Sequence, residues 1–171
     1  MKRDVHVARA EGADGIVIGA LDAAGQIDAA ITSALIDAGD GIPVTFHRAF
    51  DATPDPASAL DVLVRAGVSR VLTSGGAATA LEGVDVIAWL VDQAGERIVV
   101  MAGGGIREHN VREIMERTGV SEVHSRISSV SNAASRPTQS VRLRKPLPDD
   151  ENAWEELDET RMRAFIRLAQ T

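Results

Sequence analysis

Ile42-Pro43-Val44-Thr45-Phe46-His47-Arg48-Ala49-Phe50-Asp51 reads as a short strand running into a polar loop. Pro43 stands where a strand can begin without a backbone donor. Val44, Thr45 and Phe46 are strong strand formers. Alternation puts Val44 and Phe46 on one face and Thr45 and His47 on the other. The first face is apolar and suited to lie under helices. The second carries a hydroxyl and an imidazole. A buried strand that ends in His-Arg before a Pro-containing loop has the character of the mouth of an α/β site.

The same pattern recurs on both sides of this strand. A small residue and a glycine close each helical stretch, at Gly12, Gly39, Gly67, Gly95 and Gly119, spaced 27, 28, 28 and 24 residues apart. Glycine ends helices because it enters the left-handed region at little cost. An apolar run follows each one: 15–19, 43–47, 70–73, 98–102 and 122–125. Helical patterns separate the runs, over 2–11, 27–38, from Pro56 onward, 78–94 and 107–118. Pro56 suits a first helical turn, with Asp55 ahead of it as a cap. A fixed period of one strand and one helix means βα units and a parallel sheet.

The expected fold is therefore α/β, a parallel (β/α) barrel of the TIM type with about five of eight βα units, that is, a partial barrel. A full barrel needs about 250 residues, against 171 here. Five strands cannot close, so two edges remain unpaired. The chain opens inside a helix with no strand ahead of it, which suggests that Met1 is an internal methionine of a longer product. A half barrel completed by dimerisation and an open doubly wound sheet are the alternatives. Residues 1–126 are expected to form the partial barrel and 127–150, rich in Ser, Asn, Arg and Pro, an irregular connection. Residues 151–171 are expected as a C-terminal helix packing on the barrel, with Trp154, Leu157, Arg161, Phe165 and Leu168 on one stripe.

Composition narrows the function classes. The net charge of −7 gives no reason to expect a nucleic-acid partner. The absence of cysteine excludes disulfides, zinc ribbons and dithiol redox chemistry. No apolar run has membrane-spanning length, and the first residues lack the apolar core of a signal peptide. The expected setting is cytoplasmic, without a membrane partner.

Five segments occur in order: Gly12-Ala13-Asp14-Gly15-Ile16-Val17-Ile18-Gly19, Val44 to Asp51, Val71-Leu72-Thr73-Ser74-Gly75-Gly76, Met101-Ala102-Gly103-Gly104-Gly105 and Glu122-Val123-His124-Ser125. Together they resemble the CutC family, named for copper homeostasis. The resemblance covers roughly residues 1–126. It implies a cytoplasmic (β/α)₈ barrel, a homo-oligomer and a link to copper. The family's first three βα units have no counterpart here.

In a parallel barrel, functional groups gather at the C-terminal strand ends. His47, Arg48, Thr73, Ser74, Gly75, Gly103, Gly104, Gly105 and His124 all fall there. His47 and Arg48 are the candidate catalytic pair. The plain alternatives are a hydrogen-bonded structural histidine and a salt bridge from Arg48 to Asp51. The runs 73–75 and 103–105 are candidate anion loops, because glycines let backbone N–H groups approach an anion; tight turns are the alternative. Asp51 or Asp55 could serve as an acid–base group near His47, though a helix cap is the better reading of Asp55. For copper, imidazole suits Cu(II) and thioether suits Cu(I), which leaves His47, His124 and Met101 as candidate ligands. Two readings remain open: a copper-linked CutC-like barrel, and an enzyme of unassigned reaction on a small phosphorylated or carboxylated metabolite. A fragment without a function of its own is the third.

Overall fold

The computed structural model describes residues 1–132 and 153–170. They fall into two units, Met1–Ser125 and the part from Arg126 onward.

The first unit alternates helix and strand: α1 Lys2–Ala10, β1 Ile16–Ile18, α2 Ala29–Gly39, β2 Val44–Phe46, a 3₁₀ turn Arg48–Ala52, α3 Pro56–Ala66, β3 Arg70–Thr73, α4 Val84–Ala94, β4 Val99–Gly103, α5 Val111–Thr118 and β5 Glu122–His124. The strands pair in sequence order, β1-β2-β3-β4-β5, each parallel to the next. This is a partial (β/α) barrel. All five strands therefore deliver their C-terminal ends to one rim.

Alternation sorts the strand residues as the central stretch predicts. Val44, Phe46, Val71, Thr73, Val100 and Ala102 are buried, on the face that Leu60, Leu63, Ile87, Leu90 and Ile114 of the helices fill. Each fully buried Leu, Ile or Phe contributes roughly 1.5–3 kcal/mol. Thr45, Leu72, Val99 and Met101 stand on the other face, half-buried, with Val17 65% exposed on β1. Arg70 and Glu122 form a two-bonded ion pair on this face, spanning β4.

Local signals start and stop the helices. Asp55 accepts hydrogen bonds from the N–H groups of Ala57 and Ser58, with Pro56 in the first turn of α3. Asp28 caps α2 through Ile31 N–H. Such caps contribute about 1 kcal/mol each. Gly67 and Gly119 close α3 and α5 in the left-handed region. At α2 the left-handed residue is Asp40, one place beyond Gly39.

Two helices begin well after the positions that the sequence indicates. Helix α4 begins at Val84 rather than 78. Thr79 and Glu82 hydrogen-bond each other's backbone N–H, and Ala80 N–H donates to Gly104 O. These bonds shape residues 79–83 as a turn that leads into Gly83, the N-cap of α4. Helix α5 begins at Val111 rather than 107. Buried Asn110 accepts from Arg107 N–H and donates to Gly105 O, holding that stretch as a loop. On α2, Ile31 is 44% exposed although it stands four residues before the buried Leu35.

The second unit corrects the expected C-terminal organisation. Residues 128–132 are not irregular but form β6 (Ser128–Asn132), antiparallel to β7 (Ala153–Leu157), and the last helix, α6 (Glu159–Ala169), starts later than 151. The three-residue spacing of Trp154 and Leu157 fits a helix, but pairing with a distant strand overrides it. Asp158 ends β7 and caps α6 by accepting from Arg161 N–H. Arg161 Nη1 donates to Ser128 O at 2.8 Å. The rest of the expected irregular connection, from 133 on, lies outside the described residues.

Candidate functional site

His47 and Arg48 leave the end of β2 in opposite directions. The His47 ring lies over Gly19 at the end of β1, where a Cβ would come within 2.1 Å of Cε1. Its Nδ1 accepts a hydrogen bond from Ala49 N–H at 3.1 Å, capping the 3₁₀ turn. An Nδ1 that accepts carries no proton, so neutral His47 bears its proton on Nε2. It is set as a donor. Arg48 reaches the other way, across β3 toward the β4 loop. Its Nη2 donates to Ser74 Oγ at 2.5 Å and to Ala77 O at 3.2 Å. Nη1 faces Gly104, where a Cβ would sit 3.2 Å from it.

Asp51 is the centre of the cluster. It accepts from Thr73 Oγ1 at 2.5 Å, from Arg48 Nε at 2.7 Å and from the N–H groups of Ser74 and Gly76 at 3.1 and 3.2 Å. Its side chain is 10% exposed, against 41% for Arg48. Burial pushes the Asp51 carboxyl up. The bonds from Thr73, Arg48, Ser74 and Gly76 outweigh burial and hold it below the ordinary carboxylate range. Sequence reading offered Asp51 as an acid–base group near His47. The contacts instead make it a fixed anion that ties the β2 turn to the end of β3. Thr73 and Ser74 are fully buried and engaged in this tie. Only the Arg48–Asp51 salt bridge, the plain alternative for Arg48, was legible in the sequence; the bonds from Thr73 and Ser74 were not.

The glycines serve close approach. Gly75 lies against Gly83, whose own Cβ would fall 1.9 Å from Ser74 O. Gly75 N–H is taken by Thr73 Oγ1. Gly103 leaves room for Leu72, and Gly104, at φ +109°, for the Arg48 guanidinium and Ser74 Cβ. Gly105 lies against Thr79. Gly83 was not singled out from the sequence, because its constraint comes from the neighbouring 74–75 backbone. Ser125 Oγ donates to Ile106 O, tying β5 to the same loop. The structure thus brings together Arg48, Asp51, Thr73, Ser74, Gly75, Gly76 and Gly104, and sets His47 and His124 on either side of them.

Copper does not fit the residues proposed to hold it. His47 and His124 end strands three places apart in the sheet, a separation of about 14 Å at ordinary strand spacing. The His47 ring is turned toward β1. Ligation through Nε2 would require the proton to leave it, and the Nδ1 cap on Ala49 opposes the tautomer change. Met101 lies within β4, half-buried. Among the described residues no group of three His, Asp or Glu side chains is placed to hold a metal ion.

Comparison with known proteins agrees with the architecture. The CutC family model matches residues 1–129. A family protein CutC of Caulobacter vibrioides is 48% identical over 124 residues, covering 72% of this chain and 51% of that protein. The copper homeostasis protein cutC homolog of Mus musculus is 42% identical over 171 residues, 99% of this chain and 63% of the mouse protein. A solved CutC structure from Streptococcus agalactiae superposes with a TM-score of 0.69 at 34% identity, covering 72% of this chain and 60% of that one. The chain thus spans about half to two thirds of the length of these relatives. With the family matched over the whole run of βα units, this chain belongs to the CutC family.

Proposed function

We propose that the rim of this partial barrel binds a small anionic metabolite, carboxylated or phosphorylated, and that the chain serves the copper homeostasis for which its mouse relative is named without holding copper itself. One observation carries the reading. Arg48 Nη1 has no acceptor among the described residues and stands at the C-terminal strand ends beside Gly104, where barrel ligands bind. His47 adds an Nε2–H donor on the β1 side, suited to polarising a carbonyl through a hydrogen bond. A cytoplasmic homo-oligomer accords with this reading. Within the five-stranded sheet, β1 and β5 each have one neighbour, and no helix among the described residues is long and apolar enough to cross a membrane.

Thermal unfolding in the presence of acetate or phosphate tests the proposal. Either anion should raise the melting temperature. Arg48→Lys, which keeps the charge but loses Nη1, should abolish the gain. No shift with either anion would refute the anion site.

A further inference from the structure

We infer that this site selects a single oxygen of low charge, such as that of a carboxylate or a carbonyl, over a phosphate dianion; the inference rests on the anion-site reading above. The guanidinium is the first reason. Arginine holds phosphate best through a fork of two parallel N–H bonds. Here the Nε and Nη2 fork is spent within the protein, on Asp51, Ser74 and Ala77. What remains is Nη1 beside Gly104. Its N–H groups belong to one nitrogen and suit one acceptor oxygen.

Charge is the second reason. Asp51 bonds the same guanidinium and is held ionised by its other donors. The pair is close to neutral. A dianion brought to Nη1 would meet a fixed carboxylate whose charge already offsets that of the guanidinium.

The backbone is the third. Phosphate-binding turns present several free N–H groups ahead of a helix N-terminus. In the first glycine turn, Gly75 and Gly76 N–H are already taken by Thr73 and Asp51. After the second, α5 does not begin until Val111, and Arg107 N–H is taken by Asn110. The glycine amides of the first turn are thus occupied, and the second turn has no helix N-terminus directly behind it.

The test is an NMR titration of the full chain with acetate and, separately, with inorganic phosphate, at equal ionic strength and about pH 8, where phosphate is dianionic. Acetate should move the Arg48 Nε–H and Gly104 amide signals at a concentration at least about tenfold lower than phosphate. Arg48→Lys should remove the acetate response. Gly104→Ala, which sets a methyl against Nη1, should weaken it and serves as the second variant should Arg48→Lys misfold. Phosphate binding as tightly as acetate would overturn the selectivity while leaving the anion site standing. Silence with both anions would overturn the site itself. An acetate response unchanged in both variants would overturn the assignment to Nη1.

Discussion

Asp51 holds together side chains that are far apart in the chain. It answers buried Thr73, the Ser74 and Gly76 amides and the Arg48 guanidinium. Asp51→Asn would turn an amide donor against some of these donors. Leaving buried partners unsatisfied costs about 1–3 kcal/mol, so urea unfolding should show a loss of about 2–3 kcal/mol. The pH dependence follows from the direction of the shift. The Asp51 carboxyl is held lower in the folded protein than in the unfolded chain. Its stabilisation is therefore present above the unfolded value of about 3.9 and fades as pH falls below it through the folded value. Wild-type stability should drop more steeply below about pH 4 than that of Asp51→Asn; parallel curves would refute the role. Gly19→Ala is a second prediction at this scale. Its Cβ would meet the His47 ring. The exposed ring can swing aside, so the cost should stay near 1 kcal/mol. Nitrogen NMR should show neutral His47 losing its preference for the Nε2–H form, and an unchanged tautomer would show that the Nδ1 cap does not set it.

The elements owe their ends to two kinds of glycine. Gly67 closes α3 at φ +82° with nothing within 4 Å of a Cβ. Gly67→Ala should cost only the left-handed conformation, about 1–2 kcal/mol. Gly83 has an ordinary backbone, but its Cβ would strike Ser74 O at 1.9 Å and Gly75 Cα at 3.1 Å. Both are main chain and cannot swing aside. Gly83→Ala should cost more than Gly67→Ala, above about 3 kcal/mol, and should disturb the anion site as well. Chemical denaturation of the two variants checks the order, and equal losses would show that the 74–83 approach is not tight. The helix-cap glycines and Asp55 were legible in the sequence because capping is local. Gly83 was not, since its constraint comes from a loop nine residues away. The C-terminal strand β7 escaped for the same reason: Trp154 and Leu157 suit a helix, and its partner Ser128–Asn132 is distant in the chain.

For the whole molecule, the family and the metal point in different directions. Membership in CutC links the chain to proteins named for copper homeostasis. The histidines stand apart, and His47 is held as a donor. Equimolar Cu(II) should therefore leave the melting temperature unchanged to within about 1 °C, since a ligand well above its dissociation constant would stabilise by several kcal/mol. A large shift lost in both His47→Ala and His124→Ala would restore the copper site. The order of five βα units, the parallel sheet and the partial barrel could be read from the sequence alone, because strand alternation, helix caps and the glycine period are properties of neighbouring residues. Only the tertiary structure decided which rim residues meet. Adjacent His47 and Arg48 part to opposite sides of β2, and Asp51 becomes the hub of a cluster that spans two strands. Those outcomes depend on loop conformation and strand register, where contacts between distant residues outweigh local preference.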